Sequence, residues 1–577
     1  MRILRVSAAL AVILGVAMST SAFAESSPVE ITVTPSEELR EISPYIFGVN
    51  SGVDLGTVSA KSLRLGGNRL TAYNWENNMS NAGSDWKNSN DLYLVSGAAE
   101  QFKDVPAGAM LNAVAQARER NIPYTLLTLQ MAGYVSSDRG GQAKEDDAAP
   151  SGYWYKVENR KGGEFAEEPD KDDKTVYMDE LLNYLTTRLG KSGVQGYSLD
   201  NEPGLWRHTH PLLQDGALSC TELIDRSTDL AAVVKEIDAE VFGPALYGYS
   251  AYVNFAGAPD WNEIKSENGY RWFIDYYLDE MRKAENANGK RLLDVLDLHY
   301  YTEAKGACGE RSCSHYDNDD CVKARLDSVR SLYDPDYREK SWIVDTGAEF
   351  FPLLPNVWQS IDEYYPGTKL SFSEYNFGGG DHISGAVCEA DTLGIFAEQG
   401  VYFAALWAFE GNEYQLGAIN MFTDYDGNGS GFGGMLVKSE HTGGDISVYS
   451  SVDGDTVKMI VTNRSIHDDT PVSITLSSDK SYESAEVYSL YGDSPLVRQL
   501  DGVGEITDNS FTYTLPALSV TEFVIVTPAP EEPSIEASES ASEIGDGVKS
   551  ALPYAIGGAA AAGTAAVIAT VVKKKKK

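Results

Sequence analysis

The sequence predicts an α/β fold: a (β/α)8 TIM barrel with an additional C-terminal antiparallel β-sandwich. Three observations carry this expectation. Between residues 42 and 433, short apolar runs bounded by Gly, Pro, Asn or Asp alternate with amphipathic helical stretches. After Gly434 the pattern changes to strict alternation punctuated by Gly, Asp and Asn. No Gly-rich phosphate turn opens a helix, which sets aside a doubly wound sheet.

The expected barrel strands are 44–49, 62–65, 124–128, 195–199, 245–249, 295–299, 370–373 and 401–406. Each is short and mostly apolar, as strands buried on both faces are. Helices fall between them at 177–185, 221–237, 270–281 and 386–396, where apolar residues recur every three or four positions. Beyond the barrel, alternating strands are expected at 446–450, 456–462, 472–476, 484–488, 511–514 and 522–526. The early run 29–34 alternates too and should join that sandwich before the chain enters the barrel. The expected organisation is therefore 25–41 as a strand contributed to the sandwich, 42–433 as catalytic barrel, 434–527 as sandwich and 528–553 as a disordered Pro/Glu/Ser linker.

Both ends read as targeting segments. Residues 1–24 have the form of a signal peptide: Arg2 and Arg5, an apolar run over 8–18, then Ala22-Phe23-Ala24. Residues 554–577 read as a C-terminal transmembrane anchor, an uncharged Ala- and Gly-rich run over 555–572 followed by Lys573 to Lys577. Such a run covers roughly 27 Å as a helix, and the lysines would stay on the cytoplasmic side. The expectation is an exported chain held at the cell surface. The competing reading is a flexible Ala-rich tail.

A formal net charge of −38 excludes nucleic acid as a partner. Thirty-three Tyr and nine Trp supply flat surfaces for ligand stacking, although most aromatic side chains serve the core. Of the five cysteines, Cys308, Cys313 and Cys321 crowd together, which suggests one loop disulfide; Cys220 and Cys388 stand apart, and one thiol must be left over.

Active sites on such barrels lie at the C-terminal ends of the strands. The fourth strand is followed by Asp200-Asn201-Glu202-Pro203 and the seventh by Glu374-Tyr375-Asn376. Glycoside hydrolysis requires such a pair of carboxyl groups, one to protonate the leaving oxygen and one to attack or stabilise the anomeric carbon. Asn201 is placed to hydrogen-bond a sugar 2-hydroxyl, and Pro203 fixes the turn.

Several long segments resemble glycoside hydrolase family 44. Tyr197-Ser198-Leu199-Asp200-Asn201-Glu202-Pro203-Gly204-Leu205-Trp206, continuing to His208-Thr209-His210-Pro211, is similar to that family's acid/base segment. Ser373-Glu374-Tyr375-Asn376-Phe377-Gly378-Gly379 is similar to its nucleophile segment. Leu65-Gly66-Gly67-Asn68 with Tyr73-Asn74-Trp75-Glu76, and Asp297-Leu298-His299-Tyr300-Tyr301, match its second and sixth strand ends. The resemblance implies net retention and endo-cleavage of β-1,4-glucans, both cellulose-type chains and xyloglucan. It implies Glu202 as acid/base and Glu374 as nucleophile. Arg64, Asn68, Asn201, His299, Tyr301 and Trp407 would line the inner sugar subsites, and Trp75, Trp206 and Tyr375 are further substrate-binding candidates. Arg64 beside Glu374 would keep that carboxylate ionised. The resemblance implies a monomer that requires no cofactor and allows a structural calcium without naming its ligands. Two features depart from the family: the Cys-rich loop at 308–321, and Leu65 where Trp is expected.

Weaker signals remain. Asp424-Tyr425-Asp426-Gly427-Asn428-Gly429-Ser430 imitates the start of a calcium loop but has Met435 at position twelve, and reads better as a turn-rich linker. His208 and His210 should shape a loop rather than bind a metal. Trp154, Trp206, Trp261 and Trp358 are candidate sugar platforms. The alternatives in function are a retaining β-mannanase or xylanase on the same barrel, since subsite walls set sugar preference, and a non-catalytic surface carbohydrate-binding protein.

Overall fold

A computed structural model describes residues 27–528 other than 308, 310–317 and 410. The expected signal segment, the linker, the anchor, Cys308 and Cys313 lie outside the described residues. Among those described, no helix is long and apolar enough to cross a membrane. Cys220 and Cys388 are buried free thiols.

Eight parallel strands close into a barrel: β1 (Gly48–Asn50), β2 (Ser62–Leu65), β3 (Tyr124–Leu129), β4 (Gly196–Leu199), β5 (Glu240–Leu246), β6 (Val295–Tyr301), β7 (Lys369–Asn376) and β8 (Phe403–Leu406). β8 pairs with β1 to complete the ring. Two strands depart from the expected positions. The first apolar run is split into a 3₁₀ turn, Pro44–Ile46, and the short β1. The fifth strand ends at Leu246, not Tyr249, and starts upstream at Glu240, where Gly243-Pro244 obscures the apolar run.

The two ends of the barrel differ in polarity. At the N-terminal end, aromatic rings form a plug: Tyr124 lies 4.7 Å from Tyr45 and 5.4 Å from Phe403, and Phe242 lies 5.3 Å from Phe403. Glu240 closes this end, accepting hydrogen bonds from Tyr124 at 2.6 Å and Tyr402 at 2.8 Å. The opposite end carries Asn50, Arg64, Asn201, His299 and Glu374, all nearly or fully buried. Polar groups at that depth persist only when paired, so this end is where a built site belongs.

A nine-stranded, mostly antiparallel sheet accompanies the barrel. Its strands run in spatial order Arg498–Val503, Ser484–Tyr491, Ser519–Val526, Thr456–Asn463, Ile446–Asp453, Met435–His441, Val29–Glu41, Thr470–Leu476, Ser510–Leu515. Val29–Glu41 pairs antiparallel with Met435–His441 and parallel with Thr470–Leu476. The sheet folds over on itself: Phe511, on one edge strand, packs 5.7 Å from Phe523 near the other edge. Ile31, Val33, Val461, Ile474, Phe523 and Ile525 share the enclosed core.

The helix Ile383–Gln399 lies between the barrel and the sheet and is buried along nearly its whole length. A helix enclosed on all sides is apolar over most of its circumference, and the acidic residues it carries are buried with it. Gly394 accommodates the Tyr449 ring, which would lie 2.4 Å from an added Cβ. Asp391 on the same helix accepts from Thr462 Oγ1 at 2.7 Å and faces Arg464 at 3.8 Å across the interface.

Glu389, also on this helix, is 1 % exposed. It accepts from the Tyr375 hydroxyl at 2.5 Å, and its second oxygen has no partner. Burial pushes its carboxyl up to about 8 against the opposing hydrogen bond from Tyr375. Burial likewise pushes Glu76 to about 8 and Glu398 to about 7. The folded state therefore holds protons that the unfolded chain releases near 4.5. The associated stability is complete below that value and is lost as pH rises through the folded values toward 8. The thermal midpoint should fall between pH 5 and pH 8. Glu389→Gln, which cannot ionise, should fall less over that interval, by an amount on the order of a few kcal/mol in unfolding free energy. Parallel pH dependences for parent and variant would show that Glu389 stays ionised when folded.

Candidate active site

Arg64, in the middle of the site, is fully buried on β2. Its Nη1 donates to Glu374 Oε1 at 2.7 Å and to Asn50 Oδ1 at 3.0 Å. Its Nη2 donates to Asn201 Oδ1 at 2.8 Å and lies 3.5 Å from His299 Nε2. One guanidinium thus joins β1, β2, β6, β7 and the turn after β4. Asn50 was not singled out from sequence, although an amide ending an apolar run was a usable signal. It donates to the carbonyls of Ser373 at 2.9 Å and Ala405 at 3.0 Å, which fixes its oxygen toward Arg64.

Two glycines give Arg64 its room. A Cβ on Gly66 would lie 2.2 Å from the Arg64 guanidinium carbon, and one on Gly67, whose φ is +91°, would lie 2.7 Å from the Trp407 ring. Leu-Gly-Gly-Asn is therefore a packing requirement: the backbone passes between the buried cation and the indole. Leu65 itself is 6 % exposed and packs in the core rather than forming an open floor.

Glu374 is the sixth residue of β7, so it lies within the strand rather than after it, as the sequence suggested. Its Oε2 accepts from the Tyr301 hydroxyl at 2.8 Å and lies 3.4 Å from His299 Nδ1. Glu202 lies beyond β4 in a left-handed conformation, φ 46° and ψ 55°, and its Oε1 lies 2.8 Å from His299 Nδ1. One ligand-type atom each from Glu202, His299 and Glu374 lies within 4.8 Å of the other two.

The environments separate the two carboxyl groups. Burial pushes both upward, but for Glu374 it is outweighed by His299, by the Arg64 charge and by hydrogen bonds from Arg64 and Tyr301, and the carboxyl is held below its ordinary range. For Glu202, burial prevails over the hydrogen bond from His299, with the Glu374 charge adding to it, and the carboxyl is raised. His299 is raised because the two carboxylates outweigh the effect of its own burial. The shifts run in opposite directions, so Glu202 keeps a proton more readily than Glu374, the division of labour that acid-assisted displacement needs.

The remaining sequence-predicted residues divide into two sets. Asn68 reaches the site, accepting from Asn201 Nδ2 at 3.4 Å while donating to Asp85 at 3.0 Å. Tyr301 lies 6.2 Å from the Phe409 ring, which is 51 % exposed. Trp407 is half-buried above Gly67. Three candidates are corrected. Trp75 is fully buried and packs against Tyr184 at 5.5 Å in the helix layer. Trp206 is also buried, and its indole N–H supports the turn from behind by donating to the Asn201 carbonyl at 2.9 Å. Tyr375 alternates with Glu374 along β7, so it points away from the barrel interior toward Glu389.

Among the suggested platforms, Trp154 and Trp261 are buried, and Trp358 lines a cavity of about 370 Å³ beside Lys369, at the N-terminal end of β7. Exposed rings occur instead at Trp86 and Trp342, in the loops following β2 and β6. His210 is buried against Gly83, and the His208 carbonyl accepts from Ser84, so both shape the loop.

Neither candidate place fits calcium. Glu202, His299 and Glu374 offer one imidazole and two carboxylates, Glu374 already held by Arg64 and Tyr301 and Glu202 by His299, whereas calcium takes six to eight oxygens. In the Asp424–Ser430 segment, Asp426 is occupied by Ser430 Oγ at 2.8 Å and by the Asn428 and Ser430 amides, as in a closed turn.

Comparison with known proteins agrees with this arrangement. Residues 79–304 match the family model for glycoside hydrolase family 44. Endoglucanase A of Paenibacillus lautus is 44 % identical over 535 residues, covering 90 % of this chain and 76 % of that protein. Beta-mannanase/endoglucanase A of Caldicellulosiruptor saccharolyticus is 42 % identical over 515 residues, 85 % of this chain but only 38 % of that longer protein. The solved structure of a Paenibacillus polymyxa family 44 xyloglucanase with xyloglucan superposes with a TM-score of 0.84 at 41 % identity, covering 87 % of this chain and all of that one. With two opposed carboxyl groups at the C-terminal end of an eight-stranded barrel, and with relatives this similar along most of its length, the chain belongs to glycoside hydrolase family 44 and is a glycoside hydrolase.

Proposed function

We propose that the protein is a retaining endo-β-1,4-glucanase acting on cellulose-type glucans and xyloglucan, with Glu202 as acid/base and Glu374 as nucleophile. The observation that carries this reading is the pair itself: carboxyl groups close enough to share His299, with one raised and the other held low. Retaining enzymes place their carboxyl groups about 5–5.5 Å apart, whereas inverting enzymes keep them about 6.5–9.5 Å apart to admit a water. Contacts within 4.8 Å favour the first geometry. Two of the relatives carry endoglucanase in their names, and xyloglucan is the ligand of a third.

The reaction follows from these positions. Glu374, with Arg64 and Tyr301 fixing its oxygens, attacks the anomeric carbon while Glu202 gives its proton to the departing glycosidic oxygen. A glycosyl ester forms on Glu374 and the aglycone chain leaves. Water then attacks the same carbon, Glu202 takes its proton, and the Glu374 carboxylate is released. Asn201, with its oxygen held by Arg64 and the Gly67 amide, keeps its Nδ2, which also reaches Asn68, as the donor for the sugar 2-hydroxyl. No cofactor enters either step.

A second reading, β-mannanase action, is favoured by the name of the relative from Caldicellulosiruptor saccharolyticus. Rates on xyloglucan, carboxymethylcellulose and mannan separate the two, and a preference for mannan would displace the glucanase reading. We also propose export and surface tethering, with residues 1–24 starting translocation and the apolar run followed by Lys573 to Lys577 arresting it.

Three outcomes test this account. Proton NMR during hydrolysis should show the β-anomer first; the α-anomer first would refute double displacement. Glu202→Ala should lose activity on glucan by about 10²–10⁴-fold yet retain much of the glycosylation rate on substrates with good leaving groups, whereas Glu374→Ala should be inactive on both. Near-normal turnover by the Glu374 variant would remove the nucleophile assignment. The full-length chain should fractionate with membranes, and a version ending at Pro553 should appear in the medium; equal release of both would eliminate the anchor.

A further inference from the structure

We propose that Asp200 is a positioning residue for the reaction: it clamps the Asn201–Glu202 turn to the loops after β2 and β3, and so aims the Glu202 carboxyl at the departing oxygen. The inference rests on the acid/base reading of Glu202 given above.

Asp200 is fully buried one residue beyond the end of β4, with φ at 65°. Both its oxygens are engaged. Oδ1 accepts from Thr71 Oγ1 at 2.6 Å and from the Asn201 amide at 2.8 Å. Oδ2 accepts from the Met131 amide at 2.5 Å and from the Ala132 amide at 3.2 Å. These donors come from three loops. Thr71 ends the helical turn Asn68–Thr71 that follows Gly67, and Met131 and Ala132 lie just beyond β3.

The residue type follows from this arrangement. Two acceptors are needed on each arm, and an ionised carboxylate supplies about four acceptor sites and no donor. Asparagine would turn an NH2 group toward either the Met131 and Ala132 amides or the Asn201 amide. Glutamate would carry the same oxygens one methylene too far. All four donors are neutral, so the clamp exists against a cost: burial pushes the Asp200 carboxyl up to about 6 despite its hydrogen bonds. A site that needed only filled space would be served better by an apolar side chain.

The clamp acts on the turn that carries the acid/base. Asp200 and Glu202 both have positive φ, so the peptide between them has little intrinsic preference for the orientation observed. External contacts hold that orientation. The Asn201 amide is held by Asp200, its side-chain oxygen by Arg64, its carbonyl by Trp206, and the Glu202 amide by the Ala245 carbonyl at 3.1 Å. Gly67 and Asn68 tie the Asn201 side chain to the loop beyond β2, and Asp200 is the member of this set that ties the turn to the loop beyond β3 as well, through Met131 and Ala132. Loosening it should leave Glu374, held by Arg64 and Tyr301 on β7, where it is. The defect should therefore fall on proton delivery and spare nucleophilic attack.

Asp200→Asn and Thr71→Val, with Thr71→Ser as the variant that keeps the hydroxyl, can be compared on glucan and on two aryl β-cellobiosides, one with a good leaving group and one with a poor one. A misplacement near 1 Å costs about 10²-fold. We therefore expect kcat/KM for Asp200→Asn to fall about 10–100-fold on glucan and on the poor leaving group, but by less than about threefold on the good one, which needs no proton. Thr71→Val should show the same selectivity in weaker form, and Thr71→Ser should restore the parent rates. Equal losses on both aryl glycosides, or no loss on either, would overturn the proposal. Thr71→Val carries the test alone should Asp200→Asn fail to fold. Glu202→Ala run in parallel separates the two layers. If it too lacks leaving-group selectivity, the acid/base reading fails. If it shows the selectivity and the Asp200 and Thr71 variants do not, only the positioning role fails.

Discussion

Arg64 is the constraint on which the rest of the site depends. A guanidinium with no solvent exposure, in a barrel wall, is tolerable only if its charge is met, and Glu374 meets it at 2.7 Å. The consequence runs in both directions. The Glu374 carboxyl is held below its ordinary range in a place where burial alone would raise it, and the planar Arg64 guanidinium is fixed in orientation by Asn50, Asn201 and His299. Removing either partner leaves an uncompensated charge worth about 3–5 kcal/mol, so the pair serves the fold as much as the chemistry. Gly66 and Gly67 belong to the same constraint, since any side chain there would collide with Arg64 or Trp407.

The barrel resolves a conflict between stability and function by separating them along its axis. Its N-terminal end is closed by Tyr45, Tyr124, Phe242, Tyr402 and Phe403, where ring contacts surround a carboxylate that accepts from two of the phenols. Its C-terminal end concentrates buried polar groups that hydrogen-bond mostly to one another. Burial makes each interaction there stronger and each unpaired group costlier. Opposite shifts at Glu202 and Glu374 follow from that setting: both are buried, but the cation and the phenol are aimed at one of them.

Much of this was legible in the sequence because barrel strands are buried on both faces and so appear as bounded apolar runs. Six of the eight were placed near their observed positions on that ground, and the two carboxylates followed from reading what ends each strand. The failures have physical causes. β5 was displaced because Gly243 and Pro244 interrupt its pattern, and β7 was ended too early because Glu374 and Asn376 are polar residues inside a strand. The errors at Trp75, Trp206 and Tyr375 are of another kind: proximity in sequence to a catalytic residue does not say which face of the chain a ring takes. Asn50 could have been found as an amide ending an apolar run, but Asp200 and Thr71 act through contacts between loops distant in sequence, which no local pattern records.

The strand Val29–Glu41 has a consequence for how the molecule is made. Its neighbours in the sheet lie at the far end of the chain: the Glu30 amide donates to Thr442 Oγ1 across 412 residues. At a synthesis rate of about 5–20 residues per second, this strand waits roughly 20–80 s for its partners to emerge. Throughout that interval the residues of the barrel emerge while Ile31 and Val33 lack the strands that cover them, an unpaired edge open to anything nearby. The nine-stranded sheet therefore cannot mature before the barrel, and its completion draws the two termini of the folded region together. Closure of the sheet turns that early liability into the seam that joins the two ends of the described residues.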